Sequence, residues 1–171
     1  YFQVFYARRA LRILPVYALM IFAFILGRRF AQRPDIFGTE FRLWSYLLFL
    51  QNVEMARFNS YGVDFLAATW SLAIEEQFYL FFPLIVALAP PRILPKVIIA
   101  MLILAPSVRL LSYWYTGNYM PSYVLSTHRA DALAIGALIA WAFSIDAIRQ
   151  RLVGRAHTIR WVLFALIAAS P

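Results

Sequence analysis

Two adjacent carboxylates, Glu75 and Glu76, stand at the entrance of a long apolar run in the stretch T-W-S-L-A-I-E-E-Q-F-Y-L-F-F-P, Thr69 to Pro83. An acid at membrane depth is costly, which makes it a candidate for a functional site by default. On a helix, Ser71, Glu75 and Tyr79 lie four residues apart and share one face, so Glu75 can face an interior lined by hydroxyl groups. The alternative is an acid pair at the end of a span, solvated by lipid headgroups and without a chemical role.

A second group of charges, Arg8, Arg9 and Arg12, stands near the start of the chain. Arg9 and Arg12 lie three residues apart on a helix, with Arg8 one turn before Arg12. Their guanidinium groups can therefore converge on phosphate groups and bind them bidentately. The alternative is that the three arginines only set the orientation of a membrane span.

The composition indicates the kind of protein that must position these charges. Of the 171 residues 63% are apolar and only 14% are charged, well outside the usual composition of a soluble domain. The mean hydropathy is +0.70. We therefore expect an all-α, polytopic transmembrane helical bundle with about five to six hydrophobic segments. The net charge of +8 comes from arginines that cluster at segment ends, so nucleic-acid binding is discounted.

The hydrophobic segments differ in whether they can cross a membrane. Leu43 to Leu50 is too short, since a span needs about 20 residues, and a re-entrant or tilted partial helix is favoured there. The stretch from Ser112 to Ser126 is expected to be an aromatic interfacial loop, and the stretch from Asp146 to Arg160 a basic connector. The other apolar segments are Ile13 to Gly27, Thr69 to Ala89, Val97 to Leu111, the stretch after His128 to Phe143, and a last one that begins at Trp161.

Three stretches together resemble one family, the membrane-bound acyltransferase-3 group. They are F-Y-A-R-R-A-L-R-I-L-P from Phe5, the highly specific stretch from Thr69 to Pro83, and R-A-D-A-L-A-I-G-A-L-I-A from Arg129. On this resemblance, residues 1–171 are a single piece of an integral-membrane acyltransferase domain that lacks the N-terminal helices and the C-terminal remainder.

The resemblance implies a multi-pass enzyme of the bacterial inner membrane. Such an enzyme moves an acyl group, often acetyl, from acyl-CoA to a hydroxyl of a carbohydrate or other cell-surface molecule, with no bound cofactor. Arg9 and Arg12 match the R-x-x-R pair associated with the acyl donor, and Glu75 matches the acid of W-S-L-x-x-E. The expected donor- and substrate-binding residues are Arg9, Arg12, Trp70, Ser71, Tyr79, Arg129 and Asp131.

The base of the reaction is not assigned to this chain. In the family it is a histidine on an earlier transmembrane helix, which this sequence does not contain. We expect Glu75 to support that histidine or to pair with an arginine across the bundle, Arg109 or Arg129. His128 is interpreted as an interfacial histidine at a helix start. It lies far from His157, and without ligand spacing the two histidines predict no metal site.

Two other functions remain open on the sequence. Acids and arginines within kinked spans also mark the pathways of multi-pass transporters and flippases. A noncatalytic membrane partner in envelope glycan assembly is the third possibility. The chain shows no inverted-repeat symmetry, which disfavours the transporter.

Overall fold

The computed structural model describes residues 2–30, 37–157, 160, 161 and 164. This part of the chain is helical and contains no strand, so the predicted all-α class is confirmed. In chain order its helices are α1 (Phe2–Phe30), α2 (Leu43–Leu47), α3 (Gln51–Phe58), α4 (Asp64–Ala67), α5 (Thr69–Leu88), α6 (Leu94–Thr116), α7 (Tyr119–Val124), α8 (Ser126–Phe143) and α9 (Asp146–Gly154).

The described residues hold three helical stretches that are long and apolar enough to cross a membrane, fewer than the five to six hydrophobic segments expected. They are α1, the stretch Asp64–Leu88 that joins α4 and α5, and α6. The chain is therefore a membrane protein. Helix α8 falls short because its first turns carry His128, Arg129 and Asp131. The segment that begins at Trp161 lies mainly outside the described residues.

The effect of proline differs among the long helices. Helix α5 stops at Leu88, two residues before Pro90-Pro91, since a proline disfavours helical geometry in the residue before it. Pro15 lies inside α1 and Pro106 inside α6, and both helices continue past them. The predicted lead-in from Phe5 to Arg12 and the first span are thus one continuous helix.

The segment from Phe41 to Phe58 enters the bundle and leaves it at the same end. Its two terminal rings stack on each other with centroids 5.8 Å apart. Between them, the hydroxyl of Tyr17 on α1 donates a hydrogen bond to the carbonyl of Tyr46 at 2.7 Å. The Phe49 ring, after the end of α2, stacks on the Tyr17 ring at 4.6 Å. This is the partial, non-spanning helix that the sequence favours, and α3 carries the chain back.

A network of buried amides holds this segment against the rest of the bundle. Asn52 is fully buried, and its Nδ2 donates to the Val124 carbonyl at 3.1 Å and to Ser126 Oγ at 3.2 Å. Gln77 Nε2 donates to Asn52 Oδ1 at 3.0 Å and to the Phe49 carbonyl at 2.6 Å. Ser126 Oγ in turn donates to Gln77 Oε1. Helices α3, α5 and α8 therefore meet at polar groups that each find a partner, as burial requires.

The stretch from Ser112 to Ser126, expected to be an aromatic loop, is mainly helical, so that expectation is wrong. In the expected loop from Ser112, α6 continues to Thr116 and α7 begins at Tyr119. Gly117 ends α6 in the left-handed conformation at φ 62°, and the Asn118 side chain caps α7 by accepting from the Met120 N–H at 2.9 Å. The turn between α6 and α7 therefore consists of two residues, Gly117 and Asn118.

The expected basic connector forms helix α9. An ion pair of 2.6 Å between Asp146 and Arg149, one helical turn apart, lies on its surface. An acid in the first turn also complements the helix dipole, which explains why this charged stretch is helical.

The helix directions place the basic clusters at one end of the bundle. The Tyr6 hydroxyl donates to the Leu80 carbonyl at 3.0 Å and Arg9 pairs with Glu76, so α1 and α5 run in opposite directions and the start of α1 points towards the end of α5. The start of α6 follows after a short turn, which brings Arg92 to the end where Arg8 lies. Ser60 lies at the opposite end, where the segment from Phe41 to Phe58 enters and leaves.

We predict that a cysteine introduced at Ser60 reacts with a membrane-impermeant maleimide in intact cells, whereas one at Arg92 does not. The positive-inside bias places the basic end in the cytoplasm, and the 171 residues contain no cysteine. Labelling of both positions after permeabilisation is the control. Protection of the Ser60→Cys variant in intact cells would contradict this topology.

We also predict that Asn52→Ala lowers the stability of the bundle by about 1–2 kcal/mol, because it leaves the Val124 carbonyl and Gln77 Nε2 short of partners. Thermal unfolding in detergent measures the change. The matched control is Val53→Ala on the same helix, whose side chain is 48% exposed. Equal midpoints for the two variants would show that the network contributes nothing.

Candidate functional site

Arg9 of α1 lies against three side chains of α5. Its Nε is 3.5 Å from Glu76 Oε1, and one terminal nitrogen is 3.8 Å from Glu75 Oε2. Its guanidinium carbon is 3.0 Å from the centroid of the Tyr79 ring. Residues 75, 76 and 79 can all reach Arg9 because they lie within about one turn of α5. The structure thus joins the first and second sequence motifs in one cluster.

The partner of Glu75 differs from the one expected. From the sequence we expect Arg109 or Arg129 opposite this acid, whereas in the structure Arg9 lies there. Glu76 is the better-shielded of the two acids, with 22% of its side chain exposed against 46% for Glu75. The Arg9 Nε and Glu76 Oε1 atoms are buried and have no hydrogen-bond partner within the described part of the chain. The two atoms face each other at 3.5 Å, so each has the other as its ion-pair partner.

The three arginines of the first motif line one open cavity of about 550 Å3, together with Val4 and Phe5. Arg8 and Arg12 are exposed. Among the described residues neither forms an ion pair, whereas Arg9 is neutralised by the two acids of α5. The groove therefore keeps two uncompensated guanidinium groups beside a fixed third one, an arrangement suited to a ligand with several phosphates.

A smaller cavity of about 250 Å3 adjoins this groove, and Arg9 lines both. One wall is the apolar face of α1 at Ala10, Ile13 and Leu14. The tip of the re-entrant segment at Leu48 and Phe49 supplies another. A ligand that is polyanionic at one end and apolar at the other thus finds matching surfaces in adjacent spaces.

The remaining predicted residues lie in separate places. Arg129 lies near the rings of Tyr123 and Trp70, 5.2 and 5.9 Å from their centroids, and these two rings are 4.6 Å apart. Ser71 is exposed, and its hydroxyl donates to the Ala68 carbonyl at 3.1 Å. Of the predicted residues, Tyr79 thus belongs to the Arg9 cluster, and Trp70 and Arg129 form an aromatic cluster with Tyr123.

Asp131 belongs to a third group, between α6 and α8. Arg109 donates to its carboxylate at 2.8 Å, and the Arg109 carbonyl accepts from the Ser122 hydroxyl at 3.2 Å. His128 is buried nearby, with Nδ1 3.0 Å from Thr127 Oγ1 and Nε2 unpartnered among the described residues. Burial, and then the charge of Arg109, lower the pKa of His128, so its neutral form is favoured.

Sequence reasoning missed Gln77 and Phe49, which connect the site to the polar network. Gln77 follows the acid pair directly and lines the smaller cavity. An amide beside two acids within an apolar run was the available signal, since an unpaired amide is costly there. Phe49 carried no such signal, because its role depends on a left-handed backbone at φ 54° that only the folded chain shows.

We predict that Arg9 is coupled more strongly to Glu76 than to Glu75. A double-mutant cycle with Arg9→Gln, Glu76→Gln and Glu75→Gln, read by unfolding in mixed micelles, measures the two energies. We expect about 1 kcal/mol or less for Glu76 and close to zero for the more exposed Glu75. A larger coupling to Glu75 would reverse the assignment of the main partner.

The chain is similar to curated bacterial proteins. O-acetyltransferase OatA of Staphylococcus aureus is 28% identical over 158 residues, which cover 85% of this chain and 26% of the relative. Peptidoglycan O-acetyltransferase OatA of Listeria monocytogenes is 30% identical over 191 residues, which cover 96% of this chain and 29% of the relative. YrhL of Bacillus subtilis is 27% identical over 183 residues, which cover 97% of this chain and 29% of the relative.

No protein-family model matches the chain, and no solved structure matches it. Membership in the acyltransferase-3 family thus stays a prediction from the three motifs. The alignments span between a quarter and a third of the length of the curated relatives. By sequence, this membrane chain is a relative of O-acetyltransferases.

Proposed function

We propose that the protein containing this chain is a multi-pass O-acyltransferase of the bacterial inner membrane. It would transfer an acyl group, in the first place acetyl, from acyl-CoA to a hydroxyl of a cell-wall glycan. The observation that carries the proposal is the Arg9 cluster, in which the arginine motif meets the acid pair beside an apolar cavity. The names of the relatives, which are O-acetyltransferases, support the transfer of an acetyl group to a hydroxyl.

The proposed reaction is direct transfer from a thioester to an alcohol. The hydroxyl oxygen attacks the thioester carbonyl carbon, a carbon–oxygen bond forms, and the carbon–sulfur bond breaks. The hydroxyl proton passes to a base, and the thiolate of CoA leaves and is protonated. The reaction needs a site for the polyanionic donor and stabilisation of the developing oxyanion.

The basic groove meets the first of these needs. Arg8 and Arg12 are exposed and, among the described residues, uncompensated, so they are assigned to the phosphates of the donor. Arg9 lies between the phosphate groove and the apolar cavity, where Glu75 and Glu76 fix its position. In this proposal Glu75 acts as a supporting residue beside Arg9, whose terminal nitrogen lies 3.8 Å from its carboxylate.

The aromatic cluster supplies a candidate surface for the acceptor. Trp70 and Tyr123 present adjacent rings, and Arg129 lies over them without a carboxylate partner among the described residues. Rings of this kind pack against sugar faces, and a guanidinium group donates to hydroxyl oxygens. The transporter alternative has no comparable support from the structure, since the charges of Arg9 and Arg109 are already paired locally.

The test is transfer of labelled acetyl from acetyl-CoA to the glycan fraction by the full-length protein in membranes. We expect Arg8→Lys/Arg12→Lys to raise the apparent KM for acetyl-CoA roughly ten- to hundredfold, because lysine keeps the charge but loses the planar fork. The matched control is Arg57→Lys, an exposed arginine of α3 outside both cavities.

Two results would contradict the proposal. An unchanged KM in the double variant would show that the arginines do not bind the donor. The absence of acetyl transfer by the wild-type protein, with several candidate glycans present, would overturn the enzymatic function itself. Immunodetection of each variant in the membrane controls for protein level.

A further inference from the structure

We propose that the 250 Å3 cavity beside Arg9 receives the acyl end of the donor, and that Phe49 sets the longest acyl chain the protein accepts. This inference rests on the proposed function, since it assigns a role to a residue within the same site. It concerns selectivity for the acyl chain rather than the transfer step.

The position of the cavity supports this assignment. It shares Arg9 with the groove assigned to phosphates, so a donor lying in that groove directs its thioester end into the cavity. The lining away from Arg9 is mainly apolar, with Ile13 and Leu14 on α1 and Leu80 on α5. An apolar acyl chain is thus the part of the donor that matches them.

The volume of the cavity supports a role in chain length. The cavity offers about 250 Å3, well above the roughly 10–15 Å3 that one water molecule needs. A thioester carbonyl and the methyl group of acetyl leave most of this space unfilled. A chain of several carbons therefore fits, and the side chains that line the cavity limit its length.

Phe49 is one of these side chains, and its backbone shows that the ring is retained at a cost. It has φ 54°, in the left-handed region that favours glycine or asparagine. The other non-glycine residue with positive φ among the described residues is Asn59 at 51°, an ordinary choice at a helix end. An aromatic residue in this conformation is strained and persists where its surroundings hold it.

Three contacts hold Phe49 in place. Its carbonyl accepts from Gln77 Nε2 at 2.6 Å, and its ring stacks on Tyr17 at 4.6 Å with 23° between the ring planes. Tyr17 is itself fixed by its hydrogen bond to the Tyr46 carbonyl. Because Gln77 follows Glu76 on α5, the wall of the cavity and the acids that hold Arg9 form one rigid unit.

The experiment measures transfer from acetyl-, butyryl-, hexanoyl- and octanoyl-CoA by the full-length protein in membranes. We expect Phe49→Ala to raise the octanoyl-to-acetyl rate ratio roughly tenfold or more, since a methylene in an apolar pocket changes selectivity by that order. Phe49→Gly, which also relieves the left-handed backbone, is expected to give the same shift. Phe58→Ala, which removes the other terminal aromatic of the segment, is the matched control and leaves the ratio unchanged.

A second substitution keeps the test decisive if the smaller residues disturb folding. Phe49→Trp retains the stacking on Tyr17 and fills more of the cavity, so we expect it to lower hexanoyl transfer relative to acetyl. The role of Phe49 is overturned if Phe49→Trp leaves the relative rates for the four donors unchanged. The same holds if Phe49→Ala leaves them unchanged in protein that still transfers acetyl. A wild-type protein that transfers no acyl group from any of the four donors overturns the proposed function instead.

Discussion

The structure depends on the amide of Gln77, because this one side chain satisfies polar groups from three parts of the chain. It donates to the Phe49 carbonyl and to Asn52, and accepts from Ser126. In water each of these groups would find a partner in the solvent, whereas inside an apolar bundle it must find one in the protein. The apolar contacts between the helices tolerate sliding, but hydrogen bonds between amides do not. Gln77 therefore fixes where the re-entrant tip lies along α5.

The ion pairs of Arg9 depend on that position. Glu76 precedes Gln77, so the residue that holds the tip and the residue that holds Arg9 cannot move independently. α1 is attached to the bundle chiefly through side chains, among them Tyr6, Arg9 and Tyr17. A half-buried arginine beside an apolar cavity is costly unless it is paired, and Glu76 offsets most of that cost. The two acids beside Arg9 leave Arg8 and Arg12 as the charges available to a ligand.

Local patterns in the sequence predicted most of the fold, because they report local physics. The long apolar runs predicted the long helices, and the prolines after Leu88 predicted the end of α5. The short run at Leu43 predicted a segment that does not cross. The turn at Gly117 was missed because aromatic residues on either side suggested an interface. Its cause is a two-residue cap that joins α6 directly to α7.

The site was less predictable, since it depends on which helices meet. Spacing placed Ser71, Glu75 and Tyr79 on one face, yet it could not show that Arg9 lies opposite two of them. It also suggested Arg109 as a partner for Glu75, whereas Arg109 is paired with Asp131. A partner across the bundle depends on the register between helices, and that register is set by contacts such as those of Gln77. The left-handed Phe49 has no sequence signal at all, because glycine or asparagine would be expected there.

The two clusters on α5 suggest how a donor and an acceptor could approach from different directions. Trp70 and Glu76 are six residues apart, which corresponds to about 9 Å along a helix axis. In the proposed reaction a donor held by the arginines enters from the basic end, and an acceptor resting on Trp70 and Tyr123 approaches from the other. The position of the acyl group along α5 would then decide whether the acceptor hydroxyl can reach it, which links chain length at Phe49 to the transfer itself.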